Sequence, residues 1–178
     1  MATPSEVVLP ASVGVIEDVA TGDKHTCALN TIGDVYCWGY NGGSSNMVLG
    51  NASTTSANSS SPVKVDLSAT GSHYSSDWDG RTFSGISAGA DATCAILSSS
   101  LETACWGQGY DDKILGNSTS SIKGTRVDAG SSGDKHYSVS VGNEHACIVV
   151  ASSIECWGTE ATGELGDGGG VSSMAATP

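Results

Sequence analysis

Six cysteines are the residues of this 178-residue chain best placed to do chemistry. They form three close pairs, Cys27 with Cys37, Cys94 with Cys105 and Cys147 with Cys156, spaced 10, 11 and 9 positions apart. Such pairs can be disulfides, buried thiols or zinc ligands. Zinc favours Cys-x-x-Cys spacings that converge on one metal, and these pairs sit on separate units. If each pair faces itself across a hairpin, the midpoints fall at residue 32, between 99 and 100, and between 151 and 152, each inside a turn-rich stretch. Opposed residues in an antiparallel pair have Cβ atoms roughly 4.5–5.5 Å apart, near disulfide geometry. Three disulfides are therefore expected, each closing a short loop worth about 2–3 kcal/mol in the chain-entropy model. They imply an oxidising setting, the cell exterior or a virion surface.

His25 and His145 both lie two residues before a cysteine. An active site is normally unique, so repetition argues for a structural histidine that ties neighbouring strands by hydrogen bonds. Trp38, Trp106 and Trp157 each follow a second cysteine and are expected to pack one unit on the next. Trp78 stands outside this pattern in a polar stretch and is the candidate contact residue for a partner or glycan. Around it, Asp77-Trp78-Asp79-Gly80 resembles the start of a calcium loop, but no Glu follows in register, so Asp77 and Asp79 are weak metal candidates. His73 and His136 have no nucleophile motif beside them. No phosphate loop, dinucleotide fingerprint or metalloprotease motif is present. No catalytic residue and no cofactor are expected.

The elements that position these residues come as three repeats. The copies read VIEDVATGDKHTCALNTIGDVYCWG, FSGISAGADATCAILSSSLETACWG and YSVSVGNEHACIVVASSIECWG, followed by Leu49-Gly50, Leu115-Gly116 and Leu165-Gly166. First cysteines recur after 67 and then 53 residues, a period that suits a unit of about four strands. In the first copy, Cys27-Ala28-Leu29, a turn from Asn30 to Asp34, and Val35-Tyr36-Cys37-Trp38 read as a hairpin. Pro62 to Leu67 reads as a further strand, and 51–61 and 68–80 as exposed loops. The fold class expected is all-β, with three blade-like units at about 7–50, 62–116 and 125–170 in one repeat domain.

The pattern G-x-x-H-[TA]-C-[AI]-[LV] … C-W-G … L-G resembles the regulator of chromosome condensation repeat family, whose members are β-propellers. It is carried by Gly22, His25, Cys27, Leu29, Trp38, Gly39, Leu49 and Gly50 in the first copy. In the third copy it is carried by Gly142, His145, Cys147, Val149, Trp157, Gly158, Leu165 and Gly166. The second copy departs at Ala92, where histidine would stand. The paired cysteines resemble those of the family's extracellular microbial and viral members. The resemblance implies a ring of usually seven blades, so three copies imply an incomplete propeller or a short array. Its end blades would be completed by other copies or other proteins, with Val7-Val8-Leu9-Pro10 as an exchanged or capping strand.

Composition narrows the partners. With 19 Asp and Glu against 7 Lys and Arg the formal charge is −12, which disfavours nucleic acid and anionic membrane surfaces. No apolar run is long enough to span a membrane. Met1 to Pro10 lacks the basic-then-apolar order of a secretory signal, and release with a virus particle is one alternative route. Three N-x-[ST] sequons, at Asn51, Asn58 and Asn117, fall in loop-like stretches. The expected function is a non-enzymatic structural surface subunit, a virion decoration or extracellular fibre component. Its expected partners are copies of itself or another surface protein. The alternative is an extracellular module that binds glycan or protein.

Overall fold

The computed structural model describes residues 3–42, 47–51, 57–67, 80–108, 114–115, 125–126, 135–151, 153–168 and 173–177. The described chain is all-β, arranged as three four-stranded antiparallel sheets, each built from strands consecutive in sequence. Blade 1 contains β1 (Ile16–Thr21), β2 (His25–Asn30), β3 (Val35–Gly39) and β4 (Ser59–Lys64). Blade 2 contains β5 (Phe83–Gly89), β6 (Asp91–Leu97), β7 (Thr103–Gln108) and β8 (Thr125–Arg126). Blade 3 contains β9 (His136–Val141), β10 (His145–Val150), β11 (Ser153–Gly158) and β12 (Ser173–Thr177).

The unit boundaries differ from the sequence reading in one respect. Ser59–Lys64 pairs with β3 and so closes the first blade, whereas Pro62 was expected to open the second unit. Thr125–Arg126 likewise closes blade 2, pairing with β7. β4 does not alternate cleanly, since Pro62 is buried beside a half-buried Val63 that packs on the core, so period alone could not assign it to either blade. The stretch 3–15 forms no strand, and Val8 lies in solvent.

Within each blade the central hairpin sets the register. Asn30 makes the first turn: its buried carboxamide oxygen accepts the Asp34 and Ile32 amides, and its Nδ2 donates to the Val13 carbonyl. This side chain–backbone closure explains why Asn begins the turn. The register places Cys27 opposite Cys37, Cys94 opposite Cys105 and Cys147 opposite Cys156, and all three pairs are disulfides with Cα atoms 4.1 Å apart. Hairpin loop length varies between copies while cysteine keeps facing cysteine.

The glycine that follows each tryptophan has a steric cause. Gly39, Gly107 and Gly158 have φ of 107°, 104° and 122°. A Cβ at these positions would run into the carbonyl oxygens of Lys24, Asp91 and Glu144. Only glycine accepts both the backbone angle and the approach.

Two hydrophobic clusters lie between the blades. The first joins Cys27, Leu29, Val35, Cys37 and Leu49 of blade 1 to Phe83, Ile86, Ala95, Leu97, Ala104 and Trp106 of blade 2. The second joins Ala92, Cys94, Cys105, Ile114 and Leu115 of blade 2 to Val141, Ala146, Ile148, Val150 and Trp157 of blade 3. Blade 2 therefore buries one face against blade 1 and the other against blade 3, as stacked repeats do.

Candidate functional site

His25, His136, Trp106, Trp157 and the first two cysteine pairs sit at blade-to-blade junctions. His25 opens β2 and is buried; its Nε2 shares a 2.8 Å hydrogen bond with Thr93 Oγ1 of blade 2. The Cys27 sulfur lies 3.7 Å from the same hydroxyl. Burial pushes the His25 pKa below its ordinary value, and the nearby Asp91 carboxylate opposes this in part. The ring is therefore neutral at pH 7, suited to a hydrogen bond inside a core and not to a cation. It ties neighbouring blades, where the repeat pattern suggested neighbouring strands.

Ala92 of blade 2 and Ala146 of blade 3 take the positions of His25 and Thr93 at the second junction, and both are buried there. The loss of histidine from the second copy is thus matched by loss of the threonine it would have met. His145, the remaining repeat histidine, is half-buried on the far face of blade 3.

The tryptophans show the same order. Trp106 is fully buried against blade 1, tilted against Phe83 at a centroid distance of 6.1 Å. It sits over the Leu49-Gly50 turn: a Cβ at Gly50 would stand 2.7 Å from its Nε1. Trp157 is also fully buried and donates its indole N–H to the Ile114 carbonyl at 2.8 Å, beside Leu115. Each indole thus covers the turn that follows the preceding blade's hairpin, the segment marked in sequence by the Leu-Gly pair. Trp38 has no described blade before it and is only half-buried.

Backbone and small polar groups complete both junctions. Phe83 N–H donates to the Gly33 carbonyl at the first, and His136 N–H to the Leu101 carbonyl at the second. Asp23 N–H donates to Ala90 O, and Val141 N–H to Ser87 Oγ. His136, buried at the start of β9, shares a 2.8 Å hydrogen bond with Thr103 Oγ1.

Sequence reasoning missed Thr93, Thr103 and His136. The signal for Thr93 was present, since Thr26 and Thr93 both directly precede a first cysteine. Thr103 and His136 carry no repeat signal, and only the packing of blade 3 on blade 2 brings them together.

Asp77, Trp78, Asp79 and His73 lie outside the described residues. Among the described residues no group of three His, Cys, Asp or Glu side chains is placed to hold a metal. A crevice of about 510 Å³ opens at the blade 1–blade 2 edge, lined by Asp34, Asn51, Lys64, Asp66, Arg81 and Phe83 among others, with Lys64 Nζ 2.8 Å from Asp34. After blade 3, the exposed Glu164 carboxylate accepts the Thr162 and Ala161 amides and the Thr162 hydroxyl, which lowers its pKa to about 2. No described helix is long and apolar enough to cross a membrane.

Residues 16–43, which include the first hairpin and its tryptophan, match the regulator of chromosome condensation (RCC1) repeat. No curated protein matches the chain by sequence. Among solved structures, human WBSCR16 superposes over 92% of this chain with TM-score 0.69 and 18% identity. Prp20p of Saccharomyces cerevisiae, reported with its binding properties to Gsp1p and histones, superposes over 91% with TM-score 0.69 and 18% identity. The ectodomain of the Physcomitrella patens receptor kinase CR4 superposes over 84% at TM-score 0.50 and 19% identity. The chain spans 37% of the first two structures and 31% of the third. Residues 16–43 thus carry an RCC1 repeat, and the chain has the fold of RCC1-like β-propeller blades with a disulfide in each, its three described sheets not closing a ring. The disulfides suit an oxidising environment.

Proposed function

We propose that the chain is a non-enzymatic structural subunit of an extracellular or virion surface, which assembles with copies of itself or docks on a larger assembly. The observation that carries this reading is the repeated junction. The buried histidines, threonines and tryptophans that could have served chemistry are committed to holding blade to blade. Three disulfides inside the hairpins stiffen each blade for an environment without cellular repair, and the −12 charge keeps such a particle dispersed.

The test is mass and shape in solution under non-reducing conditions, by light scattering and electron microscopy. Rings, filaments or discrete oligomers are expected, or stoichiometric binding to the surface of a host particle. A compact monomer that binds no surface assembly overturns the reading.

A second reading, recognition of a glycan or protein, is supported by the crevice at the blade 1–blade 2 edge, where Asp34, Lys64, Asp66 and Arg81 put both charge signs beside Phe83. Screening the chain against immobilised glycans, with Lys64→Ala as control, tests it. Binding that this substitution abolishes would favour recognition.

A further inference from the structure

The blade register allows each junction residue to be matched across copies. Ala20, Ser87 and Ser140 each face the first cysteine of their blade, so Val19, Ile86 and Val139 are equivalents. Ile86 is buried against blade 1 at 8% exposure, whereas Val19 stands 60% exposed on the corresponding face of blade 1. On that same face Thr26 and Trp38 are half-buried, although their counterparts Thr93 and Trp106 are fully buried. Ala28 and Tyr36 are already buried, so the open ground on this face is Val19, Thr26 and Trp38.

The far face of blade 3 shows the opposite half of the same contact. Val35 and Thr103 lie beneath the following blade, while their equivalent Ile154 is 63% exposed. Val149, equivalent to the buried Leu29 and Ile96, is exposed. His145 stands where His25 stands, without a described threonine opposite. Gly166 repeats the left-handed backbone of Gly50, with φ of 71° against 60°. The space above Gly50 holds the Trp106 indole; the space above Gly166 holds nothing within 4 Å among the described residues.

We propose that blade 3 of one copy seats on blade 1 of a second copy, repeating the internal junction between chains. The inference rests on the structural-subunit reading and names its partner. In this contact His145 meets Thr26 of the second copy, as His25 meets Thr93. Trp38 of the second copy covers Leu165-Gly166, as Trp106 covers Leu49-Gly50. Ile154 and Val149 of one copy and Val19 of the other lose their water. At the second internal junction both the histidine and the threonine positions are alanine, Ala92 and Ala146. The two end faces keep one of each, His145 on blade 3 and Thr26 on blade 1. The contact is heterologous, so repetition yields a ring if the rotation closes and a filament if it does not.

The experiment uses Val19→Glu and Ile154→Glu, both at solvent-facing positions, so each chain folds. Each substitution places an unpaired carboxylate in the proposed contact and is expected to weaken association at least ~100-fold. Mass is read by light scattering at pH 8, non-reducing, in about 0.5 M salt to screen the −12 charge. The unsubstituted chain is expected to associate with rising concentration, and each variant alone to be a monomer. The equimolar mixture is expected to form a one-to-one dimer, because the Val19→Glu chain keeps an intact blade 3 face and the Ile154→Glu chain an intact blade 1 face. Association untouched by both substitutions overturns the proposed contact and leaves the self-assembling reading standing, as does association abolished by one of them alone. A chain monomeric at every concentration overturns the contact and confines the structural reading to docking on a different protein.

Discussion

Replacing Thr93 by valine keeps the side-chain shape and removes the hydroxyl that His25 Nε2 bonds at 2.8 Å. The ring is 3% exposed and its Nδ1 has no partner among the described residues, so the substitution leaves both ring nitrogens without a described partner inside the first junction. A buried polar group so stranded costs about 1–3 kcal/mol. For a domain of this size each kcal/mol moves the melting temperature by about 2–4 °C, so a fall of roughly 2–12 °C is expected. The assay is urea unfolding at pH 8 with disulfides intact. A pH series adds a second readout. The His25 pKa is lowered in the folded chain, so below the unfolded value near 6.5 the unfolded chain binds a proton that the folded chain refuses. Stability is full above that pH and is lost as pH falls, at no more than about 1.4 kcal/mol per pH unit for one proton. His25→Gln should flatten that fall. A Thr93→Val chain within about 0.5 kcal/mol of the unsubstituted one, less than the smallest cost of a stranded polar group, would refute the reasoning.

Three other substitutions follow from the same geometry. Gly107→Ala should cost upwards of about 1–3 kcal/mol by forcing alanine into positive φ against the Asp91 carbonyl, measured as a drop in thermal midpoint; an unchanged midpoint would contradict the steric account. Trp106→Ala should cost about 3–5 kcal/mol in urea unfolding, and Trp38→Ala clearly less in the monomeric chain, because Trp106 is fully buried and Trp38 only half-buried. The Glu164 carboxylate should titrate near 2 by NMR, since the Thr162 and Ala161 amides hold its ionised form. The turn it closes is therefore kept above the ordinary carboxylate range and released as pH falls towards 2, and Glu164→Gln should remove that transition.

The sequence carried the local half of this structure. Alternation, turn residues and opposed cysteines define each hairpin through contacts a few residues apart. The register Cys27–Cys37, Cys94–Cys105 and Cys147–Cys156 was therefore legible before any coordinate. Repetition of His, Trp and Gly marked the junction residues, because a contact used twice leaves its imprint twice. The tertiary structure alone decided what those residues touch. The fourth strand of blade 1 could be assigned only by its pairing with β3, since its burial does not alternate cleanly. That His25 reaches Thr93, 68 positions away, and that His136 reaches Thr103, depend on how one twisted sheet lies on the next. The same packing decided which equivalents are buried and which, at Val19 and Ile154, are left in water. Period and spacing record a residue's neighbours along a strand; they hold no record of the face that another sheet will cover.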